Sequence, residues 1–536
     1  MTTTRRSFLK TGATAATIAA ITAMPRPLMA KLNGSAPEVL PPVEDPRLKA
    51  LAARALDVAR SAGAAYADIR LTHTWDWNIA PKNFSVSEQM TVGVRALVDG
   101  YWGFASGPMW SPDEMARLGR EAVFQAKANT LGKPRTVELA PTPTVPDGHW
   151  VMPIKLDPFE ISPFEIMDYL SGLAEFLIRT PNIMGGANVC HIVKQEKLFA
   201  STPGSYCTQR TYRTEGQFSF RLTLPDGKMG DALLDCLSPA GMGWELYRDQ
   251  PLREAITRTI AELRDDLMLP IKPVDVGRYD TVFDAEGVAN LVHQTLGPAT
   301  ELDRALGYEA NAGGTSYINA PFDMVGTYQA GAPNLSVTAN RSERGGCATV
   351  QWDDEGVTPD DFPLVKQGVL TDFQTTRESA GWLKDFYAKS GRRWRSHGCA
   401  AASDGIFAPM QHAPNLAMTP GNEALDFNAL VSSLSKGIAV KGLGLDMDFQ
   451  HSSGLATGRI FEVKNGKRVA MLDAPGLLFR SSDLWKGLLS IGGKESLRRF
   501  GLAAQKGEPM QELYASVTAP PAMFKQVTLI DVQRKA

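Results

Sequence analysis

The run "GRIFEVKNGKRVAML" (residues 458–472) has few ways to fold. Strand-forming residues flank Asn465-Gly466, a pair that tolerates left-handed backbone, and together they predict a β-hairpin with a two-residue turn. The same punctuation recurs through the second half of the chain. From residue 276, "YDTVFDAEGVANLVHQTLG" reads as a strand followed by a helix. After it, stretches such as "GVLTDFQTT" and "KGIAVKGLGLDMDFQ" read as short strands broken by glycine turns. A β-rich body over 276–536 follows.

Upstream the pattern is mixed. Leu48, Leu51, Ala52, Ala55, Leu56 and Ala59 recur at helical spacing, and Ser61-Ala62-Gly63 closes that helix. "YADIRLTHTWDWNIA" reads as a strand, and "MTVGVRALVDGYWGFASG" as two strands around a turn at Asp99-Gly100. Ser111-Pro112 opens a second helix, with Ser111 as N-cap. A Pro/Thr-rich boundary at 134–150 separates this unit, 48–133, from a central α+β region, 151–275. That region carries helices at "PFEIMDYLSGLAEFLIRT" and "PLREAITRTIAELRDDLML". With 536 residues and several such units, the chain is predicted to be an α+β protein.

The first thirty residues read as an address. "TRRSFLK" pairs Arg5 with Arg6 ahead of Phe8-Leu9 and Lys10. A weakly apolar stretch follows to Met24, then Pro25-Arg26-Pro27 and a small residue at Ala30. This is the pattern of a twin-arginine signal, read by the twin-arginine translocase. Its apolar stretch is short of the ~20 residues a bilayer span needs. Periplasmic or otherwise extracytoplasmic residence is expected, with a Pro-rich linker over 31–47 and no stable membrane span. A net charge of −2 offers no footprint for nucleic acid. The five cysteines, Cys190, Cys207, Cys236, Cys347 and Cys399, are widely spaced, without C-x-x-C. Buried free thiols are expected for most of them, although the periplasm permits one disulfide.

Several of these stretches, in order, resemble the TldD/PmbA family of metallopeptidase-related proteins. "AAYADIRL" with "VGVRALVDGYWGFASG" resembles the family's N-terminal pattern. "WDDEGVTPDDFPLVKQGVLTDF", "SGRRWRS", "APNLAMTPGN" and "GLGLDMDFQHSSGLATGRIFEVKNGK" follow in family order. The resemblance implies an N-terminal α/β domain, a large β-rich C-terminal domain, a long cleft and paired subunits. Active members cleave unfolded or small peptides with a metal, and others complete the cavity as non-catalytic partners.

The family's metal helix, H-E-x-x-x-H, falls on "LVHQTLGPATELD". A zinc peptidase needs side-chain donors that leave one position open to water, and a carboxylate to deprotonate that water. The first ligand position is His293. The position of the base is Gln294, whose amide cannot take a proton at neutral pH. The second ligand position is Pro298, which has no donor. The third, a cysteine in "CGKxG", maps best onto Ala504 in "AAQKGE", with "IGGKES" near Gly492 as the alternative. Glu301 and Asp303 match the family's acidic continuation. They are read as exposed acids after a helix end, with supports of a former metal site as the alternative. Gly297-Pro298 should stop the helix at about Leu296, leaving His293 in a last turn whose dipole favours it.

No other motif replaces this one. The remaining histidines, His73, His149, His191, His397, His412 and His451, show no i, i+4 pairing. His397 and Cys399 alternate on one face, but a loop histidine and a buried thiol are the default. There is no G-x-S-x-G and no P-loop. Arg392, Arg393 and Arg395 form the densest basic patch, read either as a site for peptide carboxylates or as a solvated loop.

These residues predict an exported pseudoenzyme of the family with no cofactor. It would be a non-catalytic subunit or peptide-binding scaffold beside a TldD-like partner, or a homodimer. One competing reading is an active zinc peptidase built on His293 and unrecognised ligands. Another is an independent periplasmic peptide-binding protein.

Overall fold

The computed structural model describes residues 45–132 and 136–533. The signal with Arg5 and Arg6, and the linker to residue 44, lie outside the described residues. Helix α1 (Pro46–Ser61) buries Leu48, Ala52, Ala55, Leu56 and Ala59, the face its spacing predicts, and ends before Gly63 at φ +107°. Strands β1 (Tyr66–Ala80), β2 (Asn83–Val98) and β3 (Tyr101–Gly107) form an antiparallel meander. The β2–β3 turn puts Asp99 at φ 50° and Gly100 at φ 81°, the left-handed pair a tight hairpin requires. Helix α2 (Pro112–Asn129) starts on the Ser111 hydroxyl, which accepts from the Glu114 N–H at 3.3 Å. It lies directly on β3: a Cβ at Gly103 would run into the Ala122 carbonyl and the Ala126 amide.

After β4 (Gly148–Val151) and α3 (Pro163–Ile178) come the long strands β5 (Ile183–Ser201) and β6 (Tyr206–Thr223), short β7 (Met229–Leu233) and helix α4 (Leu252–Met268). They correct one boundary. The stretch 134–150 does not separate two sheets, because β1 pairs with β5 from Asp68↔Ser201 to Ile79↔Cys190. One seven-stranded sheet, ordered β3-β2-β1-β5-β6-β4 with β7 on β6, joins the first unit to the central one.

The last region begins with β8 (Ile271–Lys272), β9 (Gly277–Phe283) and α5 (Ala285–Leu291). Short strands follow: β10 (Val337–Asn340), β11 (Phe362–Lys366), β12 (Val369–Leu370), β13 (Ala400–Ala401), β14 (Met410–Gln411) and β15 (Asn415–Met418). The final run is β16 (Lys436–Met447), β17 (Ser453–Lys464), β18 (Lys467–Leu472), β19 (Pro475–Arg480), β20 (Leu488–Ile491), β21 (Arg498–Lys506), β22 (Gln511–Ala519) and β23 (Ala522–Asp531). The β17–β18 turn sits on Asn465 (φ 48°) and Gly466 (φ 73°), as its sequence requires. Of "GVLTDFQTT" only Val369-Leu370 pairs as a strand. Asp372 and Gln374 just beyond bury their side chains in hydrogen bonds instead.

Two sheets result. In one, β16, β9, β23, β19 and β17 close on themselves because β16 also pairs with β17. The other runs β12-β11-β10-β15-β22-β21 and leaves β21 at an edge. A single apolar core that includes Phe283, Leu291, Leu296, Val440, Ile460, Trp485 and Val517 joins them, and α5 contributes to it. All five cysteines are free thiols. Among the described residues no helix is long and apolar enough to cross a membrane.

Candidate functional site

Asp284 starts α5. One carboxylate oxygen accepts from the Gly287 N–H at 2.8 Å, and the other takes the Gly442 N–H at 3.0 Å, which ties the helix to β16. The helix does stop at Leu296, but not by simple termination. Past Leu291 it widens into a π-turn over Val292–Leu296, with the Gly297 N–H bonded to the Val292 carbonyl at 2.9 Å. Pro298 then opens a 3-10 turn. Carbonyls that the change of pitch would strand are taken by hydroxyls: Thr295 donates to Leu291 and Thr300 to Leu296, each at 2.6 Å. In an α-helix, side chains five residues apart point about 140° away from each other. Bonding from i to i+5 brings them towards one side. The π-turn thus turns positions 293 and 298, five residues apart as in H-E-x-x-x-H, towards one side, around a sequence that reads His293-Gln294-Thr295-Leu296-Gly297-Pro298.

His293 is buried, and its Nε2 donates to the Ala503 carbonyl of β21 at 3.2 Å. Burial pushes the imidazole below its ordinary range, outweighing the bond to Ala503. It is thus a neutral ring held by a strand, rather than a cation favoured by a helix dipole. Ala504 is the next residue on β21, so the segment "AAQK" stands against the π-turn. The other candidate segment, around Gly492, is tied to Pro521 and Gly421. The backbone carbonyl of Gln294 accepts from His451 Nδ1 at 3.1 Å.

The donor set does not fit a zinc ion. Of the three ligand positions only His293 carries a donor, and its Nε2 is turned to a carbonyl oxygen, which fixes a proton there. Among the described residues no group of three His, Cys, Asp or Glu side chains is arranged to hold a metal.

A lysine lies in this corner. Glu301 and Asp303 are not exposed acids after a helix end: Glu301 is buried and Asp303 nearly so. Lys506, buried at the end of β21, sends its Nζ to Glu301 Oε2 at 2.8 Å and to both Asp303 oxygens at 2.9 Å. Arg304 adds a bond from Nε to Glu301 at 2.9 Å. Burial alone would raise the Glu301 pKa, but Lys506 and Arg304 hold it below the usual carboxylate range. For Asp303 burial prevails over Lys506 and the pKa rises. His412, whose Nε2 has no hydrogen-bond partner among the described residues, is pushed down to about 4 by burial, and His451 is lowered for the same reason. Sequence reading missed Lys506, His412 and His451. The signal for Lys506 was the lysine of "CGKxG", which falls on it in "AAQKGE".

The arginine patch is also engaged. Arg392 pairs with Asp372, and Arg395 with Asp360. Between those acids lies His397, with Nδ1 2.9 Å from Asp360, Nε2 3.0 Å from Asp372 and its ring stacked 3.8 Å from Phe362. Burial disfavours its charge, yet the two carboxylates raise its pKa to about 9. Cys399 sits in the apolar core, and burial pushes its thiol up to about 12. His397 and Cys399 thus belong to different networks. Arg393 alone of the three arginines is exposed. The "DDEG" segment links the units: Arg95 bridges Asp68 (2.6 Å) and Glu355 (3.1 Å), and Lys197 reaches Asp354 at 2.9 Å.

Known proteins share this architecture. Residues 276–531 match the family model described as the PmbA/TldA metallopeptidase C-terminal domain, and residues 80–126 match its domain 1. The chain is 23% identical over 430 residues to a metalloprotease of Methanocaldococcus jannaschii, covering 77% of this chain and 86% of that one. TldE from Thermococcus kodakarensis superposes with a TM-score of 0.66 at 13% identity, over 90% of this chain and 99% of that one. A Thermotoga maritima protein, described as a candidate modulator of DNA gyrase, superposes at 0.68 and 15% identity, over 90% of this chain and all of the other.

Proposed function

Because the chain belongs to the TldD/PmbA family of metallopeptidase-related proteins, we propose that it is an exported, non-catalytic member that completes or supplies peptides to an active TldD-like metallopeptidase. One observation carries this reading: the residues at the family's base and ligand positions are Gln294, Pro298 and Ala504, and the remaining His293 donates to the Ala503 carbonyl. A hydrolase of this type needs a carboxylate to deprotonate water and a metal to bind that water. Neither is supplied at these positions. Peptides of the kind cleaved by the family are the proposed ligand, and a TldD-like subunit the proposed partner.

Two measurements test it. Elemental analysis of the purified chain should find zinc far below one per chain, unchanged by His293→Ala. Stoichiometric zinc lost in that variant would establish the competing active-enzyme reading. Co-expression with an intact H-E-x-x-x-H relative should yield a complex on size-exclusion chromatography, and its absence would leave an independent binding protein. Export rests on Arg5 and Arg6, and replacing both with Lys should retain the protein in the cytoplasm.

A further inference from the structure

Arg392 and Arg395 of the basic patch are already paired, and Arg393 is exposed beside them, so a lined site for free carboxylates is sought elsewhere. Arg258 on α4 has no carboxylate partner among the described residues. Arg498, at the start of β21, uses NH1 for two backbone carbonyls, those of Leu497 at 2.8 Å and Glu495 at 3.1 Å. Both line one cleft of about 320 Å³ between α4 and β21, together with Arg499, Ser238, Gln250 and Cys236. Arg499 is anchored by the Arg344 carbonyl at 2.8 Å, with Glu343 at 3.6 Å. Three arginines and one acid, Asp235, line the cleft, and Arg499 is also paired with Glu343.

We propose that this cleft binds the carboxylate of a peptide, with Arg258 and Arg498 as its forks. Guanidinium groups crowded around a small space repel one another, and a planar anion that accepts two N–H groups from each relieves that repulsion. The volume is at the small end of ligand sites, suited to a chain end or one side chain. Met242, Leu246 and Phe500 in the wall supply apolar surface beside the charge. The cleft also shares a strand with the His293 corner: four residues separate Arg499 from Ala503, roughly 13 Å along β21. The proposal stands whether or not the chain is a hydrolase.

Cys236 provides the readout, because its thiol lies in the cleft wall and is only partly buried. The full chain is alkylated with iodoacetamide at pH 9 and constant ionic strength, and Cys236 is followed by mass mapping. The probes are N-acetyl-triglycine, its carboxamide, N-acetyl-glutamic acid α-amide and inorganic phosphate. A free carboxylate should slow the reaction saturably, by about tenfold at ten times its Kd, while the carboxamide has no effect. Protection by N-acetyl-triglycine alone identifies a chain terminus, and protection by the glutamate amide as well identifies a side chain. Arg258→Gln with Arg498→Gln should abolish protection at an unchanged Tm. Protection that persists in this double variant, protection by the carboxamide, or stronger protection by phosphate would each overturn the proposal. Calorimetric titration of the same probes reads binding directly if Cys236 reacts too slowly, and no heat with either carboxylate would equally overturn it.

Discussion

Lys506 Nζ lies 2.8 Å from Glu301 Oε2, although 205 residues separate the two in sequence. The contact joins the end of β21 to the turn that follows the π-turn, and with Arg304 it balances the two acids there. Lys506→Met would leave two acids facing Arg304 alone. A buried pair broken on one side costs about 3–5 kcal/mol, and urea denaturation should show a loss of that size. Adding Glu301→Gln and Asp303→Asn should return most of it. A loss below about 1 kcal/mol, the range of exposed pairs, would mean that the ammonium is not holding these acids.

The π-turn predicts how a metal site could be installed. Gln294→Glu alone should give no hydrolysis of an unfolded peptide and no added zinc, because it restores only the base. Pro298→His with Ala504→Cys places donors on the π-turn and on the strand that already meets it. Zinc in this double variant should rise towards one per chain by elemental analysis. Unchanged zinc would show that the backbone is no longer in register for a metal.

His397 makes stability depend on pH. Its folded pKa is raised to about 9 against an unfolded value of about 6.5. A raised pKa contributes stability that is complete below the unfolded value and is lost as pH climbs through the folded one. Stability to urea should therefore decline between about pH 6.5 and 9. The groups facing the ring are Asp360, Asp372, Arg392 and Arg395. His191, raised to about 9 between Asp76 and Glu215, contributes in the same window. The difference between wild type and His397→Gln isolates the clamp. The variant should lose about 2–3 kcal/mol at pH 6 and approach wild type by pH 10, and a constant gap across that range would refute the ionisation.

Gly103→Ala should destabilise the first unit by about 3 kcal/mol. The added methyl meets helix backbone at Ala122 and Ala126, and helix backbone cannot rotate aside as a side chain can. A urea midpoint equal to wild type would show that α2 slides instead.

The local rules were readable wherever structure is decided within a dozen residues. Ser111 capping α2, Asp99-Gly100 turning β2 into β3 and Asn465-Gly466 turning β17 into β18 each follow from their own chemistry. The end of the helical run at Leu296 was readable for the same reason, since Pro298 stands two residues beyond it. What could not be read was burial of charge. Glu301 and Asp303 have the look of solvent-facing acids until Lys506 is known to lie between them. Arg392 and Arg395 look free until Asp372 and Asp360 are placed, and the proline-rich 134–150 looks like a domain border until β1 is seen against β5. Each of these depends on partners that only the tertiary fold selects.

The closed ring of strands has a consequence for how the chain matures. β23, residues 522–531, bonds to β9 on one side and β19 on the other. Until the ribosome has delivered those ten residues, both neighbours keep an open edge of unpaired amides and carbonyls, the kind of surface that chaperones shield and other chains join. More than 230 residues are made between β9 and the strand that covers it. The barrel is thus completed only after almost all of its own residues have been synthesised, and its last strand acts as the closing stave.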